Sequence, residues 1–236
     1  PYVHFPRSAE KVQALIKGLP SLLSARRKTF RPSAVMKGAR SRSFSGAMDW
    51  LIRAEIVNLC RLCRDPDIAS SLTLDADRTK LYMADTGLLI SLAFGNNPAR
   101  LKEAYEALVS GKLSINQGMV FENSAAQQLA AKGMDLIFHE FRMDDSQLYE
   151  IDFLLPGSKG IIPVEVKSSV STRHRSLDLF MEKNGRRMEN AYVIHGKDLR
   201  VDGRVTYIPI YMTMFLRDGL KGLDSSPSTV GNDDDA

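Results

Sequence analysis

The stretch of residues 149–169 reads YEIDFLLPGSKGIIPVEVKSS and predicts a β-hairpin. Apolar and polar side chains alternate along its two ends, and the cluster of Pro, Gly and Ser between them is typical of a turn. If Asp152 lies opposite Glu165, then Leu155 pairs with Ile162 across the hairpin. This register gives the hairpin one apolar face and one charged face.

The charged face predicts a cation site. Glu150 and Asp152 are two residues apart on the first strand, and Glu165 and Lys167 are two residues apart on the second. Members of each pair therefore share a face. Carboxylates and a lysine that converge on a sheet can hold a hard divalent cation and a phosphate group. The alternative is a salt-bridged face that holds no metal.

An upstream helix adds a third carboxylate. The segment GMVFENSAAQQLAAK, residues 118–132, predicts a helix that ends at Gly133. Its apolar stripe includes Glu122 among small and apolar residues. A carboxylate in that position is unusual unless something binds it, so Glu122 joins the candidate site.

The first 64 residues are strongly basic. They contain 13 Lys and Arg residues and three acidic ones. Such an excess predicts contact with a polyanion such as DNA, although a solvated basic face gives the same composition. The residues predicted to contact DNA are Arg26, Arg27, Lys28, Arg31, Arg40, Arg42 and Arg53.

The same region predicts three helices, at 8–24, just after Pro32 and at 44–54, followed by strands at 56–63 and 79–84. Short helices followed by a small sheet are typical of a winged helix-turn-helix. We interpret the third helix as the recognition helix.

The predicted fold class is α/β (α+β overall), with an N-terminal winged helix-turn-helix followed by a mixed sheet flanked by helices. An edge strand and then a helix are expected to end the second domain, at 206–210 and 212–220. The predicted divisions are a winged-helix domain at 5–95, a helical connector at 96–112, a second domain at 113–220 and a disordered acidic tail at 221–236.

The second domain resembles the PD-(D/E)XK nuclease superfamily. The resemblance rests on a helix with Glu122, then a strand with Asp152, then a strand with the Glu-x-Lys motif of Glu165 and Lys167. It implies a restriction-endonuclease-like mixed sheet flanked by helices. It also implies that Asp152 and Glu165 bind Mg²⁺ or Mn²⁺ and that Glu122 adds a ligand to the metal or its waters. Lys167 would position or activate the attacking water, which completes the implied catalytic set.

Five segments in order resemble a wider family: KGARSRSFSGAMDWLIRAEIV, KLYMADTGLL, GMVFENSAAQQL, YEIDFLL…IIPVEVKSS and YIPIYM. They are similar to the C-terminal half of bacterial AAA-type ATPases, in which an ATPase core precedes a winged helix and a C-terminal domain of unknown function. The resemblance implies that this chain is the non-ATPase portion, with the ATPase as its partner and as the route to homo-oligomers. The sequence has no GxxxxGK[ST] motif, so we expect this chain not to bind ATP.

Composition argues against several other classes. No apolar run reaches the roughly 20 residues that span a bilayer, and the first residues do not resemble a signal peptide, so no membrane partner is expected. Cys60 and Cys63 do not make a disulfide framework, which predicts the reducing cytoplasm. They also lack the second Cys pair or His motif that a structural zinc site needs.

Three classes of function remain open from the sequence. One is a DNA-interacting module with a metal-dependent nuclease centre. Another is a non-catalytic arm that binds DNA or recruits a protein to the ATPase and keeps a degenerate nuclease fold. A protein-interaction scaffold is a third class, and it would not bind nucleic acid despite the basic first region.

Overall fold

A computed structural model describes residues 9–25, 27–66, 73–95, 98–110, 117–143, 147–157, 160–168, 173–185, 188 and 190–218. The helices are α1 (Ala9–Ser24), α2 (Pro32–Val35), α3 (Ser45–Arg53), α4 (Thr86–Phe94), α5 (Pro98–Val109), α6 (Gln117–Ala131) and α7 (Arg175–Asn184). The strands are β1 (Val57–Cys63), β2 (Leu74–Met83), β3 (Leu136–Arg142), β4 (Leu148–Ile151), β5 (Phe153–Pro156), β6 (Ile161–Val166), β7 (Ala191–His195), β8 (Arg200–Asp202) and β9 (Val205–Pro209). Two 3₁₀ segments cover Ser41–Ser43 and Ile210–Asp218.

The strands form two mixed sheets. The first has the order β2-β1-β3-β4 and the second the order β5-β6-β7-β9-β8. In the first sheet, the inner strands β1 and β3 are parallel and the edge strands β2 and β4 pair antiparallel with them. In the second sheet, the inner strands β6, β7 and β9 are parallel and the edge strands β5 and β8 pair antiparallel with them. Helix α6 packs against β2 and β6, so it lies where both sheets contribute. This architecture of mixed sheets with flanking helices confirms the predicted α+β class.

The predicted pairing of Leu155 with Ile162 is confirmed, but the prediction of one continuous first strand through Glu150 and Asp152 is wrong, because that strand is divided at Asp152. Strands β5 and β6 are antiparallel, and Leu155 pairs with Ile162. Strand β4 pairs with β3 in the first sheet, whereas β5 pairs with β6 in the second. Asp152 is the residue between β4 and β5. The chain therefore passes from one sheet to the other at Asp152, and the two sheets meet at this side chain.

The N-terminal helices form in the predicted order, and the hairpin after them extends the first sheet. Helix α1 buries one apolar stripe, including Leu15 and Leu19, against α3, α4 and β2. Strand β1 pairs antiparallel with β2 and parallel with β3. Strand β1 therefore has a hydrogen-bonded neighbour on each edge. Its Cys60 and Leu62 side chains are buried, as expected for a strand inside a sheet. The winged-helix assignment and the domain boundaries near 95 and 113 stay predictions. Strands β1 and β2, before these boundaries, share a sheet with β3 and β4, after them.

The end of the described chain differs from the expectation. Strand β9 is not at the sheet edge, because β8 pairs along its outer side. The segment predicted as a helix is 3₁₀ over Ile210–Asp218. There the Ile210 carbonyl accepts hydrogen bonds from Thr213 Oγ1 and Gln128 Nε2, at 2.8 and 2.9 Å. The tail predicted at 221–236 lies outside the described residues.

None of the helices in the described ranges combines the length and the apolar character that a membrane crossing requires. In the same ranges, Cys60 and Cys63 are buried and free.

Candidate functional site

Four acidic side chains meet where the two sheets join, and we call them the carboxylate cluster: Glu122, Glu150, Asp152 and Glu165. Glu122 comes from α6, Glu150 from β4, Asp152 from the bend and Glu165 from β6. One carboxylate oxygen from each of Glu122, Glu150 and Asp152 lies within 4.8 Å of the others. Glu122, Asp152 and Glu165 are buried, which is rare for carboxylates that have no cationic partner.

Three donors hold Glu122. Its Oε1 accepts a hydrogen bond from Tyr82 Oη at 2.6 Å and one from Lys80 Nζ at 3.4 Å. Its Oε2 pairs with Lys28 Nζ. Burial alone would raise the pKa of Glu122, but the charges of Lys80 and Lys28 outweigh burial and lower it to about 2. Glu122 is therefore ionised at neutral pH.

Lys80 is a fully buried cation between two of the acids. Strand β2 places Lys80 and Tyr82 two residues apart, so both side chains reach α6 from one face. Lys80 Nζ also donates to Glu150 Oε1 at 2.6 Å and lies 4.7 Å from the centre of the Phe138 ring. Burial would lower the pKa of Lys80, but Glu122 and Glu150 outweigh it and raise the pKa. Lys80 is therefore a charged group of the protein core, and its two acidic partners compensate the cost of burying it.

Asp152 and Glu165 are less well compensated. Asp152 Oδ2 accepts a hydrogen bond from the Val166 backbone N–H at 2.8 Å, and Glu165 Oε1 accepts one from Lys167 Nζ at 2.6 Å. Glu165 Oε2 is buried and has no hydrogen-bond partner among the described residues. Burial raises the pKa of Asp152 well above its usual value, with help from the charges of Glu122 and Glu165. Burial also raises the pKa of Glu165, despite the charge of Lys167.

Three of the four acids have the spacing that a hard divalent cation needs: Glu122, Glu150 and Asp152. If every group is ionised, the four carboxylates outnumber the ammonium groups of Lys28, Lys80 and Lys167 by one charge. Oxygens bound to one Mg²⁺ at about 2.1 Å can be up to about 4.2 Å apart, and Ca²⁺-like distances extend this to about 5 Å. The 4.8 Å spread of the Glu122, Glu150 and Asp152 oxygens is near this limit, so a small closure would bring them onto one ion. Glu165 is not one of these three residues, and its buried Oε2 has no hydrogen-bond partner among the described residues.

The structure brings together Glu122, Asp152, Glu165 and Lys167, the four residues predicted as catalytic. It adds Lys80 and Tyr82 as direct contacts, which sequence reasoning did not place in the site. It also adds Glu150, which the sequence placed on the charged face but not among the predicted ligands. Two signals were available for them. Glu150 is two residues before Asp152 in the sequence, and Lys80 directly precedes the apolar end of β2.

The residues predicted to contact DNA differ in where their side chains lie. Lys28 is not on an open surface, because its ammonium group pairs with Glu122 inside the carboxylate cluster. Arg26 lies outside the described residues. Arg42 lines a cavity of about 330 Å³ between α3, β1 and β2. The members of this set with exposed side chains are Arg27, Arg31, Arg40, Arg42 and Arg53.

Two family models match separate parts of the chain. Residues 117–213 match a domain of unknown function (DUF4143), and residues 2–100 match another domain of unknown function (DUF8612). No curated protein and no solved structure matches the chain. DUF4143 is a domain found in C-terminal regions associated with AAA-type ATPases, which agrees in this coarser form with the resemblance noted in the sequence.

The site draws on both matched regions. The acids and Lys167 lie in 117–213, whereas Lys28, Lys80 and Tyr82 lie in 2–100. The centre is therefore incomplete in either region alone.

Proposed function

We propose that the carboxylate cluster is the centre of a metal-dependent phosphodiesterase that cleaves DNA. The observation that carries this proposal is the buried pair of Asp152 and Glu165, with Lys167 Nζ 2.6 Å from Glu165 and with Glu165 Oε2 unpartnered among the described residues. Buried carboxylates with raised pKa values beside a lysine are typical of a functional centre.

Each residue has a role in this proposal. Asp152 and Glu165 would hold Mg²⁺ or Mn²⁺ together with Glu122. The metal would lower the pKa of a bound water and stabilise the charge that develops on the phosphate. Lys167 is 27% exposed at its side chain, so its ammonium group can face both Glu165 and incoming solvent. This position suits a group that orients the attacking water.

DNA is the proposed partner of the basic N-terminal region. Five of its arginines have exposed side chains between the end of α1 and the end of α3. Their charges can meet backbone phosphates and hold a duplex by salt-dependent contacts. We further propose that the chain works as the C-terminal portion of an AAA-type ATPase, which would supply ATP binding and the route to homo-oligomers.

A plasmid-nicking assay tests the proposed activity. We expect nicking in Mg²⁺ or Mn²⁺ and none in EDTA. In Asp152→Ala we expect a loss of at least about 100-fold, because loss of a residue that only supports a metal ligand costs about 10–100-fold and Asp152 is proposed as a ligand itself. Asp202→Ala is the matched control, since Asp202 is an exposed carboxylate on β8. Nicking that persists in Asp152→Ala would reject the proposed centre.

A second candidate function is a non-catalytic DNA-binding or recruiting arm of the ATPase. It is favoured by one observation: Lys80 and Lys28 already neutralise Glu122, as expected if internal ion pairs had replaced a metal. This candidate predicts DNA binding without cleavage in any divalent ion. It also predicts that neutralising Arg42 weakens binding and reduces the slope of log affinity against log salt by about one unit.

A further inference from the structure

We propose that Lys28 is an exchangeable counter-ion of Glu122 that leaves the carboxylate cluster when a divalent cation enters. The inference rests on the proposed metal centre and concerns how that centre is controlled. It makes the N-terminal region a regulator of the site in the C-terminal region.

The two lysines on Glu122 differ in how firmly they are held. Lys80 is fully buried within β2, pairs with Glu122 and Glu150, and lies over the Phe138 ring. Lys28 lies in the connection between α1 and α2, and its side chain is 21% exposed. A lysine near the surface on a connecting segment can leave without opening the core, whereas Lys80 cannot.

The two oxygens of Glu122 are divided between these partners. Lys80 and Tyr82 contact Oε1, and Lys28 contacts Oε2. Exchange at Oε2 would therefore leave the fixed contacts of Glu122 in place. In this proposal the divalent ion takes Oε2 as its ligand. It then competes directly with Lys28, because two positive charges at one oxygen would repel each other.

Release of Lys28 would change the surface of the N-terminal region. Lys28 is flanked in the chain by Arg27 and Arg31, whose side chains are exposed. Its ammonium group would join theirs and become available to a DNA phosphate. Metal occupancy of the site would in this way increase the affinity of the basic region for DNA.

Mn²⁺ binding to the full chain tests the exchange without any measurement of cleavage. Isothermal titration of wild type is compared with Lys28→Met, which keeps most of the aliphatic stem and removes the charge. If Lys28 occupies Glu122 in nine molecules out of ten, its removal should tighten the apparent Mn²⁺ affinity about tenfold. Lys37→Met is the matched control, because it removes an exposed lysine of the same region that lies outside the predicted site and the predicted DNA contacts, and it should leave the affinity unchanged.

A second measurement uses only wild type and does not depend on the variant folding. Lysine acylation followed by mass spectrometry reports the exposure of each ammonium group. We expect Lys28 to become several-fold more reactive when Mn²⁺ is added, while Lys80 stays protected.

The outcomes separate this inference from the proposed function. Mn²⁺ binding that is equal or weaker in Lys28→Met, or Lys28 labelling unchanged by Mn²⁺, overturns the exchange and leaves the metal centre standing. Absence of Mn²⁺ binding to wild type and to both variants overturns the metal centre and the exchange together.

Discussion

Glu122 and Asp152 contribute oxygens that lie within 4.8 Å of each other, yet the pKa of Glu122 is lowered and that of Asp152 is raised. Burial acts in the same direction on both groups. The difference comes from their partners, because Lys80 and Lys28 contact Glu122, whereas a backbone N–H contacts Asp152.

The comparison shows that the carboxylate cluster has a compensated half and an uncompensated half. The compensated half is Glu122 with its two lysines and Tyr82, and it acts as a structural ion-pair network. The uncompensated half is Asp152 with Glu165, where Lys167 balances only one of the two charges and the other needs a further cation or a proton. The same buried location thus holds an ion-pair network at one end and the two acids of the proposed metal centre at the other.

The largest expected effect comes from breaking the compensated half. Glu122→Gln should lower the free energy of unfolding by about 3–5 kcal/mol, because it leaves the buried charge of Lys80 without one of its two partners. Urea unfolding at neutral pH measures this loss. Glu106→Gln is the control, since Glu106 forms an exposed pair with Lys102 and its loss should cost less than about 0.5 kcal/mol. A similar small effect of Glu122→Gln would show that the network does not stabilise the fold.

The next effect concerns the uncompensated half. At a Mn²⁺ concentration of about 100 times the dissociation constant, wild type should gain about 2.7 kcal/mol of stability. Asp152→Asn should lose most of this gain, because the amide keeps a carbonyl oxygen for the Val166 N–H but removes the charge that attracts the metal. Thermal or urea unfolding with and without Mn²⁺ measures the difference. Asp202→Asn should keep the full gain, and equal gains in both variants would place the ion elsewhere.

The smallest effect is a difference in pH dependence without metal. Because burial and the nearby acids raise the pKa of Asp152 above 3.8, the native state binds this proton more tightly than the unfolded state. The contribution of Asp152 to stability is therefore greatest below pH 3.8 and is lost as the pH rises toward the raised native pKa. Stability of wild type relative to Asp152→Asn should fall as the pH increases.

Glu122 should show the opposite sign. Its pKa is lowered from 4.5 to about 2, so its contribution to stability is present above pH 4.5 and is lost as the pH falls toward 2. Urea unfolding of wild type, Glu122→Gln and Asp152→Asn across this range measures both slopes. If stability relative to Glu122→Gln and stability relative to Asp152→Asn change with pH in the same direction, the distinction between the two halves is wrong.

The uncompensated half could largely be predicted from sequence, because local patterns encode it. The alternation of apolar residues sets the register that pairs Leu155 with Ile162 and brings Asp152 toward Glu165. The helical stripe around Glu122 likewise places this acid on the buried face of α6. Periodicity over a few residues was enough for both.

The compensated half could not be predicted, because its contacts are distant in the chain. Lys28 and Lys80 lie 94 and 42 residues from Glu122. Lys28 stands in an Arg-rich run, where composition suggests a polyanion surface and says nothing of a buried partner. The parallel pairing of β1 with β3 brings the N-terminal region to the site, and no local pattern in either strand specifies that pairing.

The most direct test of the metal centre is an anomalous difference map from crystals of the full chain grown with Mn²⁺. We expect one peak at the carboxylate cluster, about 2–2.5 Å from oxygens of Asp152 and Glu165, with Lys80 still paired to Glu150. A map with no peak at Asp152 and Glu165 at saturating Mn²⁺ would contradict this expectation. In that case the cluster would be an ion-pair network in both halves.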